Sequence, residues 1–242
     1  PVASHVGHDI NYIAIAGALH GIGRAGERPV IPQNFVGDMG GGGLLLAFGI
    51  ACAMIEALRS GKGQVVDAAM IEGAALQLSG LLTMQAMGRF DDNRGAHLGD
   101  GGAHFYEVYE TADGKYLAVG AIEPAFYAAF RKGAGLDDPA FDDQMNESQW
   151  PALKEKVAAR IAGKTRDEWM AIFTPDACVA PVLALAEVEA DPHNAARHVF
   201  FRQGGVLQPS PAPRFSRTPG AVASPPPMRG ADTEAVLRDL GA

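Results

Sequence analysis

The chain has 242 residues, of which 48% are apolar and 20% are charged. A chain of this size can bury a sizeable core, so we expect one or two globular domains. The formal net charge is −8 and no Lys/Arg-rich run occurs, which argues against a nucleic-acid partner. No apolar run reaches ~18 residues without glycine or charge, and we recognise no targeting signal. We therefore expect a cytoplasmic protein that does not span a membrane.

The first third of the chain predicts three helices and a strand. Apolar residues at helical spacing predict a helix over 9–22. Asp38 and the glycines after it predict the start of an apolar helix over about residues 41–59, with a glycine stop. A β-branched run at 64–67 predicts a short strand, and a helix over 67–85 follows it. This order of elements is typical of part of an α/β layer.

A polar, glycine-rich stretch, residues 89–103, is predicted to be a linker. After it, Asp113-Gly114 lies between two alternating runs and predicts a hairpin over 104–120, with His104 in a loop or at a strand edge. Glu123-Pro124 predicts the start of the next helix, because proline is favoured at the first helical position. The later elements are predicted to be two helices, an apolar strand, a helix in two pieces, an extended proline-rich segment and a terminal helix (148–162, 165–173, 177–185, 185–200, 205–230 and 233–240).

The chain offers few metal ligands and two cysteines. Cys52 and Cys178 lie far apart in apolar surroundings and form no CxxC motif, so we expect two buried thiols rather than a disulfide. His5 and His8 are spaced as HxxH and Asp9 adds an oxygen, but a metal site needs at least one more placed ligand. We therefore expect no metal site.

His8 and Asp38 are the side chains best suited to carry chemistry, because each lies at a predicted helix start. A histidine and a carboxylate presented in this way can move a proton on and off carbon. Simpler interpretations stay open at this point: His8 as a solvated loop residue and Asp38 as an N-cap. The glycines at 40–43 follow a loop and lack the Lys-Ser/Thr of a nucleotide-binding P-loop, so we reject that function.

Five motifs carry more information together than any one of them does alone. They begin at Gly7 (GHDINY), Val36 (VGDMGGGG), Gly63 (GQVVDAAM), Gly102 (GAHFY) and Gly120 (GAIEP). Taken together they closely resemble the α-methylacyl-CoA racemases, which belong to the family III CoA-transferase group. The resemblance runs through essentially the whole chain.

The resemblance implies an α/β protein with the family III CoA-transferase fold: a large Rossmann-like domain and a small α+β domain in an interlocked homodimer. Residues 1–88 would form the C-terminal portion of the large domain and carry the catalytic residues. Residues 89–103 would be the linker, 104–200 the small domain, and 201–242 an extended return segment with a terminal helix packing on the large domain. The family's N-terminal part is absent, so the Rossmann-like domain is incomplete. We expect that this chain alone neither binds CoA tightly nor racemises.

The resemblance also implies racemisation of 2-methylacyl-CoA thioesters by two-base proton transfer through an enolate. His8 and Asp38 would be the two bases, and Glu123 would hydrogen-bond the histidine. The backbone N–H of Asp9 would hold the thioester oxygen. The active site would lie between two subunits, and no cofactor is implied because CoA is part of the substrate. The residues implied in substrate binding are Asp9, Tyr12, Met39, Gly40 and Gly41.

Two other functions stay open at this stage. One is a family III CoA-transferase, in which Asp9 would be the nucleophile that attacks the thioester. His8 argues against it, because the transferases generally lack a histidine before that aspartate. The other is an inactive, truncated remnant of a racemase.

Overall fold

The computed structural model describes residues 6–225 and 227–241. Contacts divide the chain into two compact units, Pro1–Pro181 and Val182–Ala242. The first unit contains two separate hydrophobic cores. A small core surrounds Ile13 and Ala74, and a larger one is built from residues between Ala103 and Ala177. The domain boundaries expected from the sequence, at residues 88 and 104, stay a prediction.

The described part of the chain up to Ala86, which surrounds the small core, contains helices and loops but no strand. The first predicted helix is shorter than expected, because Gly17 takes a φ of +89° and a short 3-10 turn follows it. The helix predicted over 67–85 is divided in two near Leu78. The elements are α1 (Asp9–Ile15), a π-helix (Phe35–Leu44), α2 (Leu45–Ser60), α3 (Met70–Gln77) and α4 (Ser79–Ala86).

The apolar helix predicted over 41–59 begins earlier than expected. Its first ten residues form the π-helix, which continues directly into α2. Asn34 is the N-cap, so Asp38 lies in the first turn of the helix and is not its cap. The predicted end is confirmed: Gly61 has a φ of +74°, and its N–H donates to the carbonyl of Ala57.

The π-helix and α2 form one continuous helix, Phe35–Ser60, with a mean hydropathy of 1.9 over its most apolar window. Only 6% of that window is buried in the structure. By length and composition this helix is long enough to cross a membrane, which the expectation of no span did not foresee. The same length and composition also fit a helix that is buried inside a larger assembly.

The strand predicted at residues 64–67 is wrong for this structure. These residues form neither a strand nor a helix, and the Val65 side chain is 93% exposed. A strand requires the hydrogen bonds of a neighbouring strand, and the sheets of the described part of the chain contain no strand from this region. A β-branched composition alone therefore did not decide the conformation.

A hairpin and a third strand form the sheet of the larger core. As predicted, β1 (Tyr106–Glu110) pairs antiparallel with β2 (Tyr116–Gly120). The apolar strand predicted over 177–185 forms only as β3 (Val179–Val182), which lies beside β2 and is partly exposed rather than buried. Alternate residues of β1 and β2 point into the core, including Tyr109, Leu117 and Val119. The outer face of the hairpin is more exposed.

Three helices cover the inner face of that sheet: α5 (Pro124–Ala134), α6 (Trp150–Ile161) and α7 (Arg166–Ile172). The predicted starts of α5 and α7 are confirmed, whereas α6, predicted from residue 148, begins at Trp150. Glu123 is the N-cap residue of α5, without a side-chain cap bond, and Pro124 lies in the first turn. The Thr165 hydroxyl caps α7 in a reciprocal capping box with Glu168. Aromatic side chains from the three helices and from β1 fill the core between these elements.

The second unit contains α8 (Pro192–Arg197), the antiparallel pair β4 (Phe200–Gln203) and β5 (Val206–Pro209), and α9 (Thr233–Asp239). The terminal helix is confirmed, whereas only the second piece of the helix predicted over 185–200 forms. The β4–β5 hairpin was missed. Its signal is Gly204-Gly205, both with positive φ, which is the usual requirement of a two-residue hairpin turn.

Both cysteines are exposed, contrary to the prediction of two buried thiols. Cys52 lies on α2, whose apolar surface is not covered by other described elements. Cys178 lies immediately before β3 with a φ of +52°. Its Sγ atom would lie 3.7 Å from a Cβ atom added to Gly120. Apolar neighbours in sequence therefore did not imply burial at either position.

Candidate active site

His8 is presented at the start of α1. It is the N-cap, with extended backbone angles of φ −110° and ψ 178°, and Asp9 is the first residue of the helix. The Asn11 side chain accepts a hydrogen bond from the backbone N–H of His8 at 3.0 Å. This bond ties the main chain of the N-cap to the first turn while the His8 side chain stays exposed.

Tyr12 supports the same turn from the side of Gly7. A Cβ atom added to Gly7 would lie 3.2 Å from the Tyr12 ring, which shows that the ring covers the chain immediately before His8. Any side chain at Gly7 would displace the ring. The predicted substrate contact of Tyr12 stays a prediction, but its ring does adjoin Gly7, the residue before the candidate base.

Asp38 lies in the first turn of the π-helix and is exposed, as is its neighbour Met39. Its carboxylate makes no hydrogen bond or ion pair with the other described residues. π-Helical segments are rare and occur frequently at functional sites. The surrounding backbone therefore presents a carboxylate whose oxygens are not engaged by the part of the chain that the structure describes.

Gly37 brings the π-helix, which carries Asp38, into contact with α1, which begins after His8. A Cβ atom at Gly37 would lie 2.7 Å from the Asp9 Cβ atom and 3.2 Å from Ile13 Cγ2. Only glycine allows the π-helix to approach α1 this closely. His8 precedes Asp9 and Asp38 follows Gly37, so the contact joins the two residues' immediate neighbours.

Asp9 combines one satisfied oxygen with one that is not. Its Oδ1 accepts a hydrogen bond from the Ile10 N–H at 2.7 Å, whereas Oδ2 is buried without a partner among the described residues. As the first residue of α1, Asp9 also has a backbone N–H at the positive end of the helix dipole, without an intrahelical acceptor. That N–H is suited to hold a ligand oxygen.

The glycines after Asp38 are packed against protein. A Cβ atom on Gly40 would lie 3.0 Å from the Phe35 carbonyl oxygen, and one on Gly41 would lie 2.9 Å from the Ala74 nitrogen. Gly40 therefore lies against its own helix, whereas Gly41 lets the π-helix pack closely on α3. The substrate contacts implied for Gly40 and Gly41 stay a prediction.

A family comparison identifies the chain. Residues 1–233, nearly the whole chain, match the family model described as CoA-transferase family III. The chain belongs to this family. Its mixed α/β fold agrees: a CAIB/BAIF family protein from Brucella suis superposes with a TM-score of 0.77 at 24% identity, covering 99% of this chain and 64% of that chain.

Two curated relatives share much more sequence with this chain. Alpha-methylacyl-CoA racemase of Mus musculus is 48% identical over 238 residues, and that of Homo sapiens is 44% identical over 238 residues. Each match covers 97% of this chain and 62% of the relative. The chain therefore spans about three fifths of the length of these curated relatives.

Glu123, the implied hydrogen-bond partner of the family III histidine, lies on a different part of the chain. It is the exposed N-cap of α5, beside the larger core, whereas His8 adjoins the small one. Within the described residues the two side chains make no hydrogen bond with each other. The pairing of Glu123 with His8 stays a prediction.

His104 corrects one sequence expectation for this family III chain. It lies in the turn before β1, as expected, but it is fully buried there, and its Nε2 lies 2.7 Å from the Tyr127 hydroxyl oxygen. Burial, with a smaller effect from the charge of Arg131, lowers the pKa of His104 to about 4. The residue therefore belongs to the core.

Sequence reasoning missed an open groove of about 760 Å³ that contains none of the candidate bases. It runs between the loop after α1 and the hairpin, and Arg24, Glu107 and Cys178 are among its lining residues. No local motif marks it, because its walls meet only in the folded chain.

Metal ligands do not cluster in the described chain. No group of three or more His, Cys, Asp or Glu side chains in residues 6–225 and 227–241 is arranged to hold a metal ion. His5, the first histidine of the HxxH spacing, lies outside the described residues.

Proposed function

We propose that this chain carries the two catalytic bases of a 2-methylacyl-CoA racemase. The observation that carries the proposal is the contact between Gly37 and Asp9, which joins the residues next to His8 and Asp38. Membership of family III and the names of the two mammalian relatives support it. Both bases are exposed on adjoining helix starts, as a two-base proton exchange requires.

The proposed reaction exchanges the α-proton of the thioester. His8 removes the proton from one face of the α-carbon, and charge develops on the thioester oxygen as the enolate forms. The backbone N–H of Asp9 stabilises that charge, because it lies at the positive end of α1. Asp38 then delivers a proton to the opposite face, and the reverse reaction exchanges the roles of the two bases. Each base contributes roughly 10²–10⁴-fold to the rate.

We also propose that the working unit is a homodimer. Glu123 would then bind and orient His8 of the second copy, since it makes no such bond within one described chain. The substrate class is acyl-CoA thioesters with an α-methyl group. The reaction needs no cofactor, because both protons pass between side chains and carbon.

Deuterium exchange tests the proposal. The protein is expressed from its complete reading frame and incubated with (2R)-2-methylacyl-CoA in deuterium oxide. We expect deuterium at the α-carbon together with both epimers, measured by NMR and chiral chromatography. Transfer of CoA to a free acid without α-exchange would contradict racemisation and indicate a transferase in which Asp9 is the nucleophile.

Substitution of each base gives the matching prediction. His8→Ala and Asp38→Ala should each slow epimerisation by about 100-fold or more, because each removes one proton carrier. His193→Ala and Asp239→Asn, which change exposed residues of the second unit, serve as controls and should retain wild-type rates. Full epimerisation by either base variant would refute the two-base scheme.

A further inference from the structure

The π-helix that carries Asp38 is positioned by α3 through main-chain contact. A Cβ atom on Gly41 would lie 2.9 Å from the Ala74 nitrogen and 3.1 Å from the Met70 carbonyl oxygen. In the same contact, a Cβ atom on Gly73 would clash with the Gly41 carbonyl oxygen, so no side chain fits between these two residues. The spacing of the two helices is therefore set by backbone atoms.

One side chain crosses from α3 to the first turn of the π-helix. The Gln77 amide nitrogen donates to the Val36 carbonyl oxygen at 3.1 Å and to the Gly73 carbonyl oxygen at 3.2 Å. A Cβ atom on Gly40 would lie 3.3 Å from the Gln77 amide oxygen. The amide thus lies against the turn that runs from Val36 to Gly40, which contains Asp38.

This turn needs an external restraint more than an ordinary helical turn does. A π-helix is rare, which reflects its less favourable geometry. The sequence after Asp38 contains four consecutive glycines, whose backbones have more conformations available than those of other residues. A hydrogen bond from outside the turn lowers the free energy of one of those conformations relative to the rest.

We infer that Gln77 is a positioning residue for Asp38. By holding the Val36 carbonyl, it fixes the direction in which the Asp38 carboxylate leaves the helix. It does not touch the reacting atoms. The inference rests on the proposed function, since the direction of Asp38 matters to catalysis only if this carboxylate transfers a proton.

The two-base reaction provides a readout that a general loss of structure would not give. In deuterium oxide, the epimer whose α-proton faces His8 exchanges through His8 alone, and the other epimer exchanges through Asp38. The Asp38→Ala variant identifies which epimer belongs to which base. A displaced Asp38 should therefore slow the exchange of one epimer and the inversion of both, but not the exchange of the other.

Gln77→Met removes the amide and keeps the side-chain length, and Gln77→Glu keeps the shape but removes the N–H donor. In both variants we expect a loss of ~10-fold or more in inversion and in exchange of the Asp38-facing epimer, because small displacements of a catalytic group are costly. Exchange of the His8-facing epimer should stay within about twofold, with KM unchanged. Gln85→Met, on α4 and exposed, is the matched control.

An equal loss for both epimers, or no loss, would overturn the inference. Amide hydrogen exchange provides a test that does not depend on turnover: residues 35–44 should exchange several-fold faster in Gln77→Met, while the rest of the chain is unchanged. Unchanged exchange in residues 35–44 overturns the inference even if the enzyme is active. A wild-type protein that exchanges neither epimer refutes the proposed function, and the catalytic role of Gln77 falls with it, whether or not Gln77 holds the turn.

Discussion

At the scale of single residues, His104 shows how the fold changes the chemistry of a side chain. Its ring packs edge-on against Phe105 and Phe141, and its Nδ1 atom is buried without a partner among the described residues. A protonated ring would therefore be a cation in the core with a donor that nothing accepts. This environment favours the neutral imidazole and makes His104 a source of acid sensitivity.

We predict that the free energy of unfolding falls as the pH is lowered from 6.5 towards 4. The pKa of His104 is about 4 in the folded chain and 6.5 without the protein environment, so the unfolded state binds more protons between these values. The contribution of His104 to the free energy of unfolding is fully present above pH 6.5. It is lost as the pH falls from 6.5 towards 4, at ~1.4 kcal/mol per pH unit and up to about 3 kcal/mol in total. Urea unfolding across this range measures it.

The matched variants for this prediction are His104→Asn and His193→Asn. The first removes the buried titrating ring and should flatten the pH dependence, although its stability at neutral pH will be lower. The second removes an exposed histidine of α8 and should leave the dependence unchanged. An undiminished dependence in His104→Asn would assign the acid sensitivity to other groups.

At the scale of elements, Glu107 connects three segments that are distant in sequence. Its carboxylate pairs with Arg24 at 2.6 Å and with Lys154 at 2.8 Å, so β1 is linked to the loop after α1 and to α6. Burial raises the pKa of Glu107, but the hydrogen bonds from Arg24 and Lys154 outweigh this effect and the net pKa is lowered. The carboxylate is therefore charged at neutral pH.

Glu107→Gln should destabilise the first unit by about 2 kcal/mol. Removing one member of a fully buried ion pair costs about 3–5 kcal/mol, but Arg24 and Lys154 remain 53% and 25% exposed and are partly solvated, which reduces the loss. Chemical unfolding at neutral pH measures the difference. Glu110→Gln, on the opposite face of β1, should change stability by less than about 0.5 kcal/mol. Equal effects of the two substitutions would contradict a role for the ion pairs.

Local signals predicted the elements whose ends depend on local chemistry. The stop at Gly61, the Asp113-Gly114 turn and the Thr165 cap were all visible in the sequence, because each is decided within a few residues. The strand at 64–67 and the burial of Cys52 failed because they depend on a neighbouring element. The π-helix was not predicted for another reason: the spacing of apolar residues does not distinguish a π-turn from an α-turn.

In the candidate site, too, the sequence predicted the features that depend on local motifs and missed those that depend on packing. His8, Asp9 and Asp38 were selected from their motifs, and the structure places their elements in contact through Gly37. Gln77 was not foreseen, because a single glutamine on a helix has no distinguishing pattern. Its bond to Val36 joins residues 41 positions apart in sequence and becomes visible only when α3 is packed.

At the scale of the whole molecule, the exposed surface of α2 is the most unusual property. Side chains such as Phe48, Met54 and Leu58 are mostly in solvent, and the helix contains no charged residue before Glu56. Apolar surfaces of this extent are rare on monomeric soluble proteins and usually mark a contact with protein or membrane. The 242-residue chain on its own should therefore associate.

We predict that Leu58→Glu reduces self-association of the isolated chain. Leu58 is 85% exposed within the apolar surface of α2, so a charge there would have to be desolvated in any contact. Analytical ultracentrifugation across a range of concentrations gives the association constant. Leu185→Glu is the control, since Leu185 is equally exposed at 85% but lies in the second unit.

Two results would count against a protein contact on α2. Equal association of the two variants would show that α2 is not the surface involved. Binding of the wild-type chain to lipid vesicles, lost in Leu58→Glu, would show that the apolar helix meets a bilayer instead.

The contact of Gly41 with Gly73 has a consequence for attempts to alter the protein by selection. A main-chain contact has no side-chain volume that a second substitution could compensate, so these two positions should not vary even in large combinatorial libraries. Exposed methionines such as Met39, Met84 and Met87 form no such main-chain contact and can be varied. A library that spares the glycine pair could therefore explore new acyl groups without disturbing the carboxylate beside it.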